Sequence, residues 1–183
     1  MVTAAEILSV AAFGDGRFAQ AFPSFGSERT GAPVVAFCRI DTTRIRTREP
    51  VVAPDALIVQ DATLVHQVDL FSGLRPGGYL LVNSSRSFDD LGLSDIVASH
   101  GDDRLLTVPA TELALEHTGR PVPNAVLLGG FAAFTGAVSI DAVVRAIEAR
   151  FSGRVAIGNV AAAREAYRIV EGQRGVLVNA SPG

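Results

Sequence analysis

Apolar positions follow two textures along this chain: short unbroken runs, and longer stretches in which they recur at helical spacing. The short runs predict strands. Val34–Ile40 (VVAFCRI), Ala56–Gln60 (ALIVQ), Tyr79–Asn83 (YLLVN) and Arg104–Val108 (RLLTV) are β-branched or aliphatic with little polar interruption, as in strands buried on both faces. The spaced pattern predicts helices over Thr3–Phe13, Ala62–Leu74, Pro109–His117, Asn124–Phe134, Ile140–Phe151 and Val160–Val170, with a short one at Asp95–His100. Thr3 and Glu6 fit a capping box at the first helix, and Gly14 and Gly16 stop it. Phe18–Pro33 and Ser84–Leu93 read as loops. Arg44, Arg46 and Arg48 alternate as on one face of a strand, which makes a hairpin of Val34–Ile40 with Arg44–Arg48 plausible. The tail Gly172–Gly183 reads as a docking extension. Apolar strands alternating with helices predict α/β layers with a largely parallel sheet. With no repeat and no linker, residues 1–183 are expected to form a single domain.

Composition narrows the chemistry. All 16 basic residues are Arg, so a Schiff-base lysine, a pyridoxal phosphate anchor and a Walker lysine are excluded for this sequence. Its one cysteine, Cys38, cannot by itself hold an iron–sulfur cluster, a structural zinc or an intrachain disulfide. Three His and a net charge of −3 argue against a His-rich metal site and against a general nucleic-acid binder. No window approaches ~18 consecutive apolar residues, and Met1–Val10 has no basic residue and includes Glu6, so neither a membrane span nor a signal peptide is expected. A cytoplasmic protein is the expectation.

No residue set reads as catalytic or metal-binding. There is no Gly-x-Gly-x-x-Gly after a strand and no Gly-x-Ser-x-Gly elbow. Gly129-Gly130 sits in a helical pattern, where close helix packing is the simpler role. Asp61 ends a strand, a position that often carries function, but it also suits a helix cap. His66 and His117 read as surface or internally satisfied histidines, and Asp89-Asp90 and Asp102-Asp103 as solvated turns. The local candidate is Ser24–Pro33 (SFGSERTGAP), where Arg29, two hydroxyls and two glycines suit a phosphate, although Glu28 and Arg29 would pair equally well in a plain surface loop.

Several separated segments occur together in one order: AFPSFGSERTGAPVVAFCRI, PDALIVQD, LRPGGYLLVNSS, PNAVLLGGFAAFTGAVSIDAVVRAIEARF and NVAAAREAY. In this the chain resembles the gamma subunit of the 2-oxoacid:ferredoxin oxidoreductases, of the pyruvate, 2-ketoisovalerate and phenylglyoxylate type, from about Val2 to Tyr167. The resemblance departs at the start. The family's gamma chain opens with a strand and a GRGGQG-like turn directly before a helix similar to Val2–Leu8. The first strand and glycine turn are therefore expected to be missing here, through a gene start assigned too late.

The resemblance implies an enzyme that converts a 2-oxoacid and coenzyme A to acyl-CoA and carbon dioxide. Thiamine diphosphate and magnesium would lie between alpha and beta subunits. Clusters of the 4Fe–4S type on a ferredoxin-like delta subunit would pass electrons to ferredoxin, or to another acceptor through an FAD-bearing flavin subunit. By the same resemblance this chain would be a three-layer α/β/α domain with a largely parallel mixed sheet, packed on the thiamine-binding subunits without catalysing the reaction. In single-chain relatives a Lys-Lys-Ser-Gly-Gly segment near the coenzyme A phosphates matches the SERTG loop. Arg29 falls on the second Lys, Thr30 on the Ser and Gly31 on the first Gly, so Arg29, Thr30 and Gly31 are expected to help position coenzyme A. Glu28 replaces the other Lys and Ala32 the second Gly, which weakens the match. A purely structural assembly subunit, a free-standing nucleotide-binding α/β domain and an indolepyruvate-type two-subunit arrangement stay open on the sequence.

Overall fold

The computed structural model describes residues 2–24, 33–67, 69–71 and 73–180. Helix α1 spans Val2–Gly14, so Thr3 lies inside the helix rather than capping it. Gly16 ends it in the left-handed conformation (φ 77°), where few other residues are at ease. The Gly16 N–H donates to Phe13 O and the Arg17 N–H to Ala12 O, both at 3.0 Å, which is a Schellman cap.

The chain then enters β1 (Phe18–Ser24), which pairs antiparallel with β2 (Val35–Asp41) from Phe18 opposite Asp41 to Ser24 opposite Val35. This corrects two expectations. The first half of the supposed Phe18–Pro33 loop is a strand, and it takes the place of Arg44–Arg48 as the partner of β2. Arg44–Arg48 is irregular. Gln20 and Pro23 hide the strand from a pattern reading, but a Pro is tolerated on an edge strand. The Phe22 and Phe37 rings, 5.4 Å apart between centroids, pack across the pair.

Strands β3 (Ala56–Val59), β4 (Tyr79–Asn83) and β5 (Leu105–Val108) form a second, parallel sheet in that order. The register sets Ile58 beside Leu81 and Leu81 beside Leu106 on one face, and Val59 beside Val82 and Leu80 beside Leu105 on the other. Both faces are buried, so the strands are continuous apolar runs. Leu81, Leu106 and Val108 join the main core with the helices. Val59, Leu80, Val82 and Leu105 pack on Val65, Leu74, Leu91 and Leu93. The architecture is α/β.

Helices α3 (Ala110–Thr118), α4 (Asn124–Thr135), α5 (Ile140–Arg150) and α6 (Gly153–Ala180) follow the short α2 (Ser94–His100). Helix α4 is buried from Ala125 to Phe134, as expected of a helix apolar all round. It fits against α6 because Gly129 has no Cβ: one added there would stand 2.6 Å from the Ala163 carbonyl carbon. The close-packing role read for Gly129 therefore holds.

Two helix expectations change. The Ala62–Leu74 segment is helical only as a 3-10 turn over Ala62–His66. Beyond it the chain crosses irregularly, with Gly73 (φ 98°) so close to Val52 that an added Cβ would lie 2.5 Å from Val52 O. The last helix runs from Gly153 to Ala180, far past Val170, so most of the supposed tail extension continues it. Arg174 ties this distal part back to α4 by donating to Ala133 O at 2.7 Å. Among the described residues no helix is long and apolar enough to cross a membrane.

Candidate functional site

The hairpin β1–β2 carries the predicted loop. Arg29, Thr30 and Gly31 lie outside the described residues, so the structure fixes only the stem on which they stand. That stem closes at Ser24 opposite Val35.

Beside the stem lies a cleft of about 830 Å³, between β2 and β3. Ala4, Ala5 and Leu8 of α1 and Leu127, Leu128 and Phe131 of α4 give it an apolar lining. Arg17, Arg39, Arg44, Arg46 and Arg75 also border it, with Asp41 and Asp55 as counter-charges. Arg75 pairs with Asp55 at 2.8 Å, and Arg39 donates through Nη2 to the carbonyls of Glu49 (2.7 Å) and Pro50 (3.4 Å). Arg39 Nε and Gln20 Oε1, on residues paired across the hairpin, are buried with no hydrogen-bond partner among the described residues. Cys38 lines the same cleft. Burial pushes its thiol from 9.0 up to about 12, so it stays protonated at neutral pH and is a poor nucleophile.

A second polar group gathers at the carboxyl ends of the parallel strands, the customary location of function in open α/β sheets. Asn83 Nδ2 donates to Gln60 O and to Thr111 Oγ1, both at 2.8 Å, while Asn83 Oδ1 accepts the Thr111 N–H at 3.1 Å. Gln60 Nε2 donates to Asn124 Oδ1 at 2.5 Å. None of these four residues stands out as a functional candidate in the sequence. The cluster's signal was a single carboxamide closing each of two apolar runs, ALIV-Gln60 and YLLV-Asn83. The cluster locks the sheet ends to the starts of α3 and α4.

The other flagged groups resolve locally. Asp61 caps the 3-10 turn, accepting from the Thr63 hydroxyl at 2.6 Å and the Thr63 N–H at 2.9 Å. The Thr63 hydroxyl, then its N–H, hold the Asp61 carboxyl below its ordinary value. The Ser87 hydroxyl and N–H do the same for Asp90, and the Thr43 N–H, then its hydroxyl, for Asp41. His117 Nε2 meets Glu165 and links α3 to α6, which satisfies it internally. His66 is exposed. Among the described residues no three His, Cys, Asp or Glu come together as a metal site.

Against known proteins, the family model for pyruvate ferredoxin/flavodoxin oxidoreductase matches residues 1–169. The chain belongs to this family. Its similarity to gamma-type subunits extends over nearly the whole sequence. It is 48% identical over 170 residues to "Pyruvate synthase subunit PorC" of Methanothermobacter thermautotrophicus, covering 93% of this chain and 89% of that protein. It is 43% identical over 170 residues to "Pyruvate/ketoisovalerate oxidoreductases common subunit gamma" of Pyrococcus furiosus, covering 93% and 90%. The crystal structure of pyruvate oxidoreductase subunit PORC from Thermotoga maritima superposes with a TM-score of 0.73 at 34% identity, covering 91% of this chain and 88% of that one. This gamma-type chain is thus one subunit of a multi-subunit oxidoreductase. The resemblance drawn from the SERTG and PGGYLLVN segments is borne out.

Proposed function

We propose that the chain serves a cytoplasmic, thiamine diphosphate-dependent 2-oxoacid oxidoreductase that forms acyl-CoA and carbon dioxide. Its partners are the alpha and beta thiamine-binding subunits and a ferredoxin-like delta subunit, with electrons leaving for ferredoxin or another acceptor. The observation that carries this reading is family similarity over residues 1–169, together with relatives that are themselves named as subunits of pyruvate and ketoisovalerate enzymes. Exposed apolar side chains support a packing role: Val52, Phe13 and Ile157 are 84%, 74% and 71% exposed. Such side chains gain by burial against a partner.

Within that enzyme, Arg29, Thr30 and Gly31 help position coenzyme A. Arg29 supplies a charge-assisted, bidentate contact to a phosphate, and the Gly31 backbone allows close approach. In the assembled enzyme, Arg29→Ala is expected to raise the KM for coenzyme A by about tenfold or more, the worth of one hydrogen bond to a charged group. The rate of 2-oxoacid decarboxylation should change little. An unchanged coenzyme A KM would assign the chain a purely structural role. Recovery of a lone 19.1 kDa monomer from its source would favour a free-standing α/β domain and reject the subunit reading.

A further inference from the structure

The connection from β2 to β3 carries a row of arginines that the fold itself does not use. Strand β2 ends at Asp41, and the chain comes back beside it at Glu49 and Pro50. Both ends of this excursion are fastened. The Thr43 N–H and hydroxyl donate to Asp41 Oδ1 at 2.8 and 3.1 Å, which turns the chain out of the strand. Arg39 Nη2 donates to the Glu49 and Pro50 carbonyls, which closes the loop. Compact surface loops with their ends held together are a common seat of function.

Arg44, Arg46 and Arg48 stand on this loop, all exposed. Arg17 is exposed at its root, because the next residue, Phe18, pairs with Asp41. None of these four has a hydrogen-bond or ion-pair partner among the described residues. Elsewhere arginines are engaged within the fold: Arg75 and Arg164 with carboxylates, Arg86 and Arg174 with backbone carbonyls. With Arg39, five guanidiniums gather around the carboxylates of Asp41 and Glu49, and Asp41 is already held by Thr43. The whole chain carries a net charge of −3. A negative partner is therefore disfavoured by the chain as a whole and attracted here, so the patch sets where it docks.

The patch suits protein better than nucleic acid. Val52, just past the closing end of the loop, is 84% exposed, and Ile45 lies half-buried between Arg44 and Arg46. Arginine mixed with apolar side chains, in a chain without lysine, matches the composition of protein–protein interfaces. From Arg44 to Arg48 the backbone reaches at most about 14 Å, a span that suits a row of carboxylates. We propose that the Arg44–Arg48 loop docks an acidic segment of a neighbouring subunit, whose carboxylates pair with Arg44, Arg46 and Arg48. The inference rests on the subunit reading above and adds the surface used and the chemistry of its partner. Because Arg39 and Asp41 already hold the loop, little ordering opposes the contact.

The absence of lysine allows a directed test. Arg46→Lys keeps the charge and gives the chain its only side-chain amine. In the complex co-expressed with its partner subunits, a zero-length carbodiimide reagent joins that amine to a carboxylate in contact with it. Mass spectrometry should find the coupling on Asp or Glu of one partner segment, in a yield that falls as salt is raised. In the same complex, Arg44→Glu, Arg46→Glu and Arg48→Glu combined should weaken retention of this chain by about a hundredfold or more. Coupling only to Asp41 or Glu49 of this chain, or none, in an intact complex would overturn the proposal. So would full retention of the charge-reversed chain. Loss of bound RNA, or a raised coenzyme A KM with assembly unchanged, would give the loop to another ligand and overturn it too. All these outcomes leave the subunit reading standing. That reading fails, and this inference with it, if the wild-type chain recovers no partner subunit.

Discussion

Replacing Gly129 by Ala sets two effects of known sign against each other. In the interior of a helix, Ala is favoured over Gly by about 1 kcal/mol. Against that stands the contact with α6. A Cβ on Gly129 would lie 2.6 Å from Ala163 C and 2.8 Å from Ala163 Cα, closer still to the carbonyl oxygen. All three atoms are backbone, so no rotamer change relieves them and the helices must move apart. Overpacking costs about 1–3 kcal/mol and sometimes more, and a backbone obstacle belongs at the upper end. The net expectation is a loss of about 2 kcal/mol, a fall in Tm of about 4–8 °C for a domain of this size. Gly130→Ala is the control. Its nearest neighbours, Val108 Cγ2 and Val170 Cγ2, are 3.5 Å from the added Cβ, an ordinary contact. That variant should gain about 0.5–1 kcal/mol. Thermal unfolding of the two purified variants, followed by circular dichroism, reads the difference directly. Equal shifts of the same sign would refute the close approach of α4 to α6.

Asn83→Ala removes three hydrogen bonds at once and strands the Thr111 N–H, so it should cost about 2–3 kcal/mol by denaturant titration. A loss under about 0.5 kcal/mol would mean that water replaces the cluster freely. Asp61→Ala should show a pH signature. Thr63 lowers the Asp61 carboxyl below its ordinary 3.8, so its stabilisation is complete above that value and disappears as pH falls through the lower folded value. Being exposed, the cap is worth no more than about 1 kcal/mol. The stability gap between wild type and variant, measured against pH, should be flat near neutrality and close in acid; a gap that persists in acid would show that the charge is not its source.

How much was legible depended on whether a residue's role is local. The strands at 56–59, 79–83 and 105–108 announced themselves because burial on both faces leaves no place for a polar residue. The Asp61 cap was legible for the same reason: its acceptor and donors are two residues apart. Strand β1 was not. Its Gln20 and Pro23 break the pattern, and it forms because β2 offers a register of seven pairs and an aromatic contact. Helix α6 outran its predicted end because Gly172 costs a helix only about 1 kcal/mol, which docking on α4 offsets. Of the predicted site, Arg29, Thr30 and Gly31 fall outside the described residues. The Gln60–Asn83–Thr111–Asn124 cluster was invisible because its members are up to 64 positions apart.

The sequence by itself determined the α/β alternation, the absence of lysine, the single thiol and the family, all properties of residue order and identity. Tertiary structure alone decided which strand pairs with β2, that Gly129 rather than Gly130 is the contact glycine, and that a cleft lined by α1 and α4 lies between β2 and β3. The physical reason is common to all three. Strand pairing and helix contact depend on backbone groups that every residue carries alike, so the side-chain pattern cannot choose among partners. Only the packing of distant segments against one another does.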